Sequence, residues 1–565
     1  MRVQSMGEGA KLVTLADGMS ESAIAAGAAA AAHLSAHRPP GVDEVVPAYG
    51  RVCVSYQAGA VADWAASGPS AAIEEWVRTT LTGEDPQVSA KREEPRDITI
   101  PVCYSSVEGP DLEASAQQLG ISVEELVTRH TAAAYRVGAV GFAPGFAYLT
   151  GLPDDLRLQR LAEPRVRVEP GSVGIGVGQT GVYPSALPGG WRIIGRTNLR
   201  LFDPGQARPS LLAVGDRVRF EATDQLSEPP ADPLDPVSHE REAAPAAEDA
   251  VVIEAGMQTT IQDLGRRGWA AAGVGIGGAV DPWSAMLANL AVGNRPNTPV
   301  LETTLAGPVL HFRKQTRVAV AGAECVGWPS ARAVAIAKDE TADFSRMASG
   351  ARCYVAVAGG WSVRPVLGSA ATHLGAGFGG MKGRALRAGD LLAIDPPPSM
   401  AGSIPSWAPA RGFTHRPTAQ PIILHFVPGI DWPQSTRDAA SYRRALEASA
   451  FRVSSRSNRM GVRLDGRLPE PPGPVPDESR PVVPGTVQVP PGGSPIVLLA
   501  EGQTIGGYPQ VGQVAFVDQA LLAQCVPGQE VRLRVISEAE AADAWIAQVK
   551  RFRMLECGIQ LRCLP

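Results

Sequence analysis

Gln179, Thr180 and Tyr183 stand together in GQTGVYP (178–184), and Gln503, Thr504 and Tyr508 stand in the same order in GQTIGGYP (502–509). A glutamine offers a carbonyl acceptor and an NH2 donor, threonine a hydroxyl and tyrosine a phenol, so either cluster complements an amide-like or urea-like ligand. Each follows a valine-and-proline strand entry, VEPGSVGI (168–175) and VVPGTVQV (482–489). Glycine and proline around a polar pair describe a β-barrel corner equally well, with glycine supplying the dihedrals and Tyr-Pro fixing the turn. Repetition of so unusual a loop points to two related barrels and leaves the pocket and the corner in balance.

Other chemistry-bearing residues gather near the first copy. His130 lies in SVEELVTRHTAAAY (122–135), where Ser122 and Glu125 have capping-box spacing, directly ahead of the glycine-rich stretch that holds GQTGVYP. It is the histidine best placed to act as a base, although a lone helical histidine is more often a packing or surface residue. Tyr148 in GFAPGFAYLTGLP (141–153) needs a partner for its hydroxyl if buried. Trp191 and Arg196 in PGGWRIIGRT (188–197) add an aromatic face and a carboxylate or phosphate clamp, with a surface salt bridge as the alternative use of the arginine. In the second half, Asp263 of TTIQDLGRRG (259–268) is an acid or base, or else the partner of Arg266 in holding a turn.

Several common engines are missing from the sequence. GVGIGGAVD (273–281) has the glycines of a phosphate loop but neither its lysine nor its hydroxyl, so it reads as a turn before a helix capped by Asp281 with Pro282 at the first helical position. There is no GxSxG elbow, and His33 and His37 lack the glutamate of HExxH. GGMKGRAL sets Lys382 beside a methionine without the small apolar flanks of a biotin hairpin, so no biotin is expected on this chain. Seven scattered cysteines without a CxxC pair predict free thiols and no structural metal.

These residues need a scaffold of several cores, since 565 residues exceed what one core serves. A formal charge of −5 offers no basic field for nucleic acid, and the longest early apolar run, IAAGAAAAAHL (24–34), is too short for a membrane span, so the expected location is the cytoplasm. Alternating strands and helices predict a small α+β domain of ferredoxin-like type over 1–135, with a helix at 70–82. Glycine- and proline-rich short strands predict a β-barrel over 136–220, an acidic, proline-rich linker follows at 221–249, and two more barrels are expected at 250–395 and 422–535. Residues 536–565 are expected to form a C-terminal tail. The expected class is mainly β with an N-terminal α+β domain.

GFAPGFAYLTGLP, PGSVGIGVGQTGVYP and PGGWRIIGRTNLRLFDP resemble the allophanate hydrolase subunit 1 family, which includes KipI and the B subunit of 5-oxoprolinase. TTIQDLGRRG, GVGIGGAVD, LETTLAGP, VAVAGGWSVRPVLGS, SNRMGVRL and EGQTIGGYPQVG resemble the companion subunit 2 family, which includes KipA and the C subunit of 5-oxoprolinase. The resemblance implies cyclophilin-like β-barrels, one in the first half and two in the second. It also implies ATP-dependent opening of the 5-oxoproline lactam together with a LamB/YcsF-type third subunit. On that reading His130, Gln179, Thr180, Gln503 and Thr504 are the candidate catalytic residues, and Tyr148, Tyr183, Trp191, Arg196 and Tyr508 the candidate contacts to a lactam or amide. The nucleotide site is unplaced, and self-association into a homo-oligomer is left open. The same modules form the carboxyltransferase part of urea carboxylase, which makes transfer from carboxybiotin to a urea-like amide the alternative chemistry. A KipI/KipA-like kinase regulator is the non-enzymatic alternative.

Overall fold

The N-terminal part follows from an alanine-rich helix laid on β-branched strands. Alanine has the highest helix propensity, and Ser20 caps Glu21–Ala36 by accepting from the Ala23 N–H. Gly27 lets this helix press on the sheet, because a Cβ there would stand 2.0 Å from the Tyr49 carbonyl oxygen. Strands Ala10–Thr14, Arg51–Tyr56 and Val42–Ala48 pair antiparallel in that order, with helix Pro69–Thr82 where the sequence predicts it. A computed structural model describes residues 1–83, 94–226, 248–397, 420–468 and 478–562.

The sheet does not stop at the expected boundary near residue 135. Strand Tyr135–Val140 joins Val42–Ala48 through the Ala48–Ala139 pair, and the sheet runs on through Ala147–Thr150, Gln179–Val182, Ser172–Gly176 and Arg192–Arg196. Strand Asp97–Val102 pairs in parallel with Arg217–Ala222. The α+β segment and the segment expected as the first barrel therefore share one 11-stranded sheet.

The second half begins with a four-stranded and a five-stranded sheet, the latter centred on Thr316–Cys325 and Met347–Val357. Helix Pro282–Val292 packs on these two strands, with Asp281 as its N-cap accepting from the Ser284 N–H and Pro282 at its first position, as the sequence predicts. Strands within 422–468 and 478–535 form a closed barrel, completed by the parallel pairing of Ile422–Pro428 with Glu530–Val535 and filled by Leu424, Phe426, Leu464, Val487 and Leu533. Among the described residues this is the one barrel that hydrogen bonding closes, where three were expected. The architecture is mainly β with helices. Most of the expected linker, 227–247, lies outside the described residues, as do residues 398–419 between the two expected later barrels.

The supposed tail is a helix, Glu538–Arg562. Trp545, Val549 and Phe552 recur at helical spacing, a signal the sequence carries; Trp545 and Phe552 pack on Trp283, while Val549 faces Gly59 of the first half. The halves are further joined by Lys11 to Glu538 at 3.0 Å, Arg51 to Glu478, and Glu8, which accepts the Phe516 N–H at 2.5 Å. No helix among the described residues is long and apolar enough to cross a membrane.

Candidate functional site

The two signature copies have different surroundings. Gln179 and Thr180 are neighbours on one strand, so alternation sends their side chains to opposite faces. Gln179 donates to the Tyr49 hydroxyl at 2.6 Å, whereas Thr180 donates to the Gly174 carbonyl at 2.9 Å and lies 3.1 Å from His130 Nε2. His130 is wholly buried, stacked on Phe220, with Nδ1 2.8 Å from the Tyr104 hydroxyl. Burial pushes its pKa down to about 3, so it is neutral, and both ring nitrogens are engaged inside the core. This geometry holds Thr180 in place and seals His130 from solvent.

Gln179 shares its face with Tyr148, Tyr183 and Trp191, all buried around Phe146. Burial raises both Tyr148 and Tyr183 to about 12, which keeps the phenols protonated as donors. Ser479 is a hydrogen-bond partner of Tyr148, and Tyr508 lies near enough to bear on its ionisation, so the second half completes this aromatic cluster. Arg160, which the sequence reading passed over, is the cation whose field reaches Tyr49, Tyr148 and Tyr183. Arg196 is placed differently, donating to the Pro170 carbonyl at 3.1 Å and pairing with Glu108 at 3.4 Å. It occupies the salt-bridge alternative rather than a free clamp.

The second copy forms part of a cavity instead. Thr504 N–H and Ile505 N–H both donate to the Gly141 carbonyl of the GFAPGF loop, at 2.9 and 3.1 Å, and Gly145 N–H donates to the Ala272 carbonyl at 3.1 Å. Three glycine-rich motifs far apart in sequence thereby meet. Beside them lies a cavity of about 440 Å³ lined by Gly277, Trp283, Gln503, Thr504, Phe516 and Trp545. Glu44 stands in its wall with both oxygens occupied by the Gly268 and Ala270 N–H groups, and burial raises its pKa. A mostly apolar chamber with the amides of Gln57, Gln503 and Gln519 and a few charged groups in its wall suits a small ligand having an apolar body and a polar end.

Comparison with known proteins accounts for this joining of two halves. Residues 1–212 match the carboxyltransferase domain, subdomain C and D, and residues 272–535 match the carboxyltransferase domain, subdomain A and B. The chain is 36% identical over 311 residues to the C subunit of 5-oxoprolinase from Escherichia coli (strain K12), covering 54% of this chain and 96% of that protein. It is 36% identical over 224 residues to the B subunit of 5-oxoprolinase from Bacillus subtilis (strain 168), covering 39% of this chain and 91% of that protein. The chain belongs to the families of the 5-oxoprolinase B and C subunits, fused in that order. The crystal structure of TTHA0988 superposes with a TM-score of 0.78 at 33% identity, covering 93% of this chain and 99% of that one.

Within the half that matches the C subunit, the motifs that mark the family converge on a buried ionic cluster that sequence reasoning missed. Arg459 of SNRMGVRL donates to Glu501 of EGQTIGGYP at 2.6 Å, to Glu302 of LETTLAGP, and to the Gly278 carbonyl of GVGIGGAVD at 2.7 Å. Tyr354 donates to Glu302 at 2.8 Å. Asp263 takes the Gly265 N–H, the Ser369 hydroxyl and the Ala370 N–H, and so holds the turn without a direct bond to Arg266, contrary to the expected pairing. The one available signal was that each charged residue sat inside a glycine-rich motif.

Four donors of the glycine loop are already committed within the fold. The N–H groups of Gly277, Ala279, Val280 and Asp281 are bound by the Ala500 carbonyl, the Asp263 carbonyl, Glu302 and the Tyr354 hydroxyl, which leaves them no donors for an anion.

The two glutamines of the signature are expected to respond differently to truncation. Gln179→Ala strips a buried hydroxyl of its partner and is expected to lower stability by about 1–3 kcal/mol. Gln503 is partly exposed, its Nε2 3.3 Å from Gln488, and Gln503→Ala is expected to change stability by less than about 0.5 kcal/mol while weakening any ligand in the cavity. Denaturant midpoints and ligand binding measured on both variants check the contrast.

Proposed function

We propose that this chain supplies the B and C subunits of an ATP-dependent 5-oxoprolinase in one polypeptide, acting with a LamB/YcsF-type subunit to open the lactam of 5-oxoproline to glutamate. The observation that carries the reading is the near-complete span of both relatives in consecutive order, 91% of one and 96% of the other. An unstrained lactam resists water, so catalysis requires donors at the developing oxyanion and a hold on the rest of the substrate. The cavity beside Gln503 and Thr504 is the part of this chain suited to those tasks, while Tyr148 and Tyr183 back it from the sealed aromatic core. Because four donors of the glycine loop are committed within the fold and the loop lacks the lysine and hydroxyl of a phosphate loop, this reading leaves ATP to the complex with the partner.

The test is glutamate and phosphate release from 5-oxoproline and ATP, with the chain alone and with a LamB/YcsF-type subunit added. At least a tenfold gain with the partner is expected. Equal rates alone would remove the need for the partner, and no turnover in either assay would remove the lactam reading. The matched carboxyltransferase subdomains favour a second reading, transfer of a carboxyl group from carboxybiotin to a urea-like amide. Carboxylation of urea in the absence of lactam turnover would establish it.

A further inference from the structure

Arg266, beside the buried ionic cluster, has a hydrogen-bonding demand that its surroundings leave open. It is 1% exposed, yet its Nε and Nη1 are buried without a partner, and its guanidinium spends only Nη2, on the Ala371 carbonyl. Among the described residues no carboxylate forms an ion pair with it. Its neighbour Arg459 shows the contrast, since each of its three nitrogens is satisfied by Glu501, Glu302 or the Gly278 carbonyl. A buried cation with unfilled donors is destabilising, a burden that an anionic ligand relieves.

The surroundings say where such a ligand would come from. A Cβ built on Gly277 would stand 3.0 Å from Arg266 Nη1, and Gly277 itself lines the 440 Å³ cavity, so the guanidinium lies one glycine behind the cavity wall. Gly277 has φ +64°, a conformation that disfavours other residues. On its other side the guanidinium lies over the Phe378 ring, 4.8 Å from the centroid, on which His373 also stacks. The fork geometry selects the anion. Whichever of its two protons Nη2 gives to Ala371, the other completes a two-donor edge with Nε or with Nη1, matching the two oxygens of a carboxylate.

We propose that Arg266 is the carboxylate-binding subsite of this cavity, reached past Gly277, with the apolar chamber holding the remainder of a small carboxylic acid. The identity of that acid as 5-oxoproline rests on the function proposed above; the subsite itself does not.

The experiment measures the melting temperature and calorimetric binding of the full chain with sodium acetate against sodium chloride at equal ionic strength, and with 5-oxoproline against 2-pyrrolidinone, its analogue without the carboxylate. Wild type is expected to be stabilised by acetate and 5-oxoproline and not by 2-pyrrolidinone. Arg266→Met is expected to keep or raise the ligand-free melting temperature and to weaken carboxylate binding at least tenfold. Gly277→Ala, which puts a methyl group 3.0 Å from Arg266 Nη1, is expected to weaken it as well and carries the test if the methionine variant fails to fold. An unchanged carboxylate response in both variants, or no response in wild type, overturns the subsite. Acetate binding lost in Arg266→Met but without 5-oxoproline turnover by wild type in the presence of the LamB/YcsF-type subunit supports the subsite and removes the lactam reading. Turnover with the same KM in Arg266→Met does the reverse.

Discussion

Arg459→Leu is expected to destabilise the chain by about 3–5 kcal/mol, because it leaves two buried carboxylates facing each other without their cation. Arg459, Glu302 and Glu501 have side chains 3%, 1% and 3% exposed. Burial works against the charge on Arg459, but Glu302 and Glu501 overcome that penalty and hold its guanidinium above the ordinary range. The bonds join four motifs, so the loss should spread from the GVGIGG turn to the barrel. Urea unfolding midpoints of wild type and variant check this. Adding Glu302→Gln and Glu501→Gln should recover part of the loss; no recovery would assign the effect to packing of the arginine stem instead.

The second large effect is in acid. His130 is lowered to about 3 and His373 to about 4, both by burial, against an ordinary value of 6.5. A histidine with a depressed folded pKa contributes stability that is present above 6.5 and is lost as the pH falls through the folded value, because the unfolded chain takes up the proton first. Glu8, raised to about 7 by burial, has the opposite sign, losing its contribution as the pH rises from 4.5 towards 7, and Glu44 is raised in the same direction. Wild-type stability between pH 4.5 and 6.5 therefore reflects a partial cancellation. His130→Gln keeps a side chain able to bond Tyr104 and Thr180 but removes one titrating group. Its stability is expected to change with pH less steeply on the histidine side, by about 1.4 kcal/mol per pH unit relative to wild type. Parallel pH profiles would mean that His130 takes up its proton in the folded chain and is not sealed in the core.

That outcome would bear on function as well as stability. A histidine that titrates in the folded protein is accessible to substrate and returns to candidacy as a base; one that does not is a strut behind Thr180. The same division applies to the two signatures. The first copy is mostly sealed in an aromatic core to which the second half contributes Ser479 and Tyr508, and the second copy faces a chamber.

Local features were legible in the sequence because they depend on neighbours a few residues away. The Ser122 cap accepting the Glu125 N–H, the Asp281 cap followed by Pro282, the alanine-rich helix and the strands at 42–56 all follow from short-range propensity and capping. The helix at 538–562 was equally readable, from Trp545, Val549 and Phe552. The family motifs, too, were present as strings, and they pointed to the fused pair of subunits.

Tertiary structure alone decided which of those residues face a ligand. Gln179 and Thr180 are adjacent in sequence yet lie on opposite sides of a strand, and what covers each side comes from Tyr49 and His130, 130 and 50 positions away. Arg459 meets Glu302 across 157 positions, and Thr504 meets Gly141 across 363. Burial, ionisation and hydrogen-bond demand are properties of such long-range contacts, because desolvation is set by whatever packs against a group and not by its neighbours in the chain. The amino-acid order determined the motifs, the caps and the family; the fold determined that Arg196 and His130 are occupied and that Arg266 keeps two nitrogens without a partner.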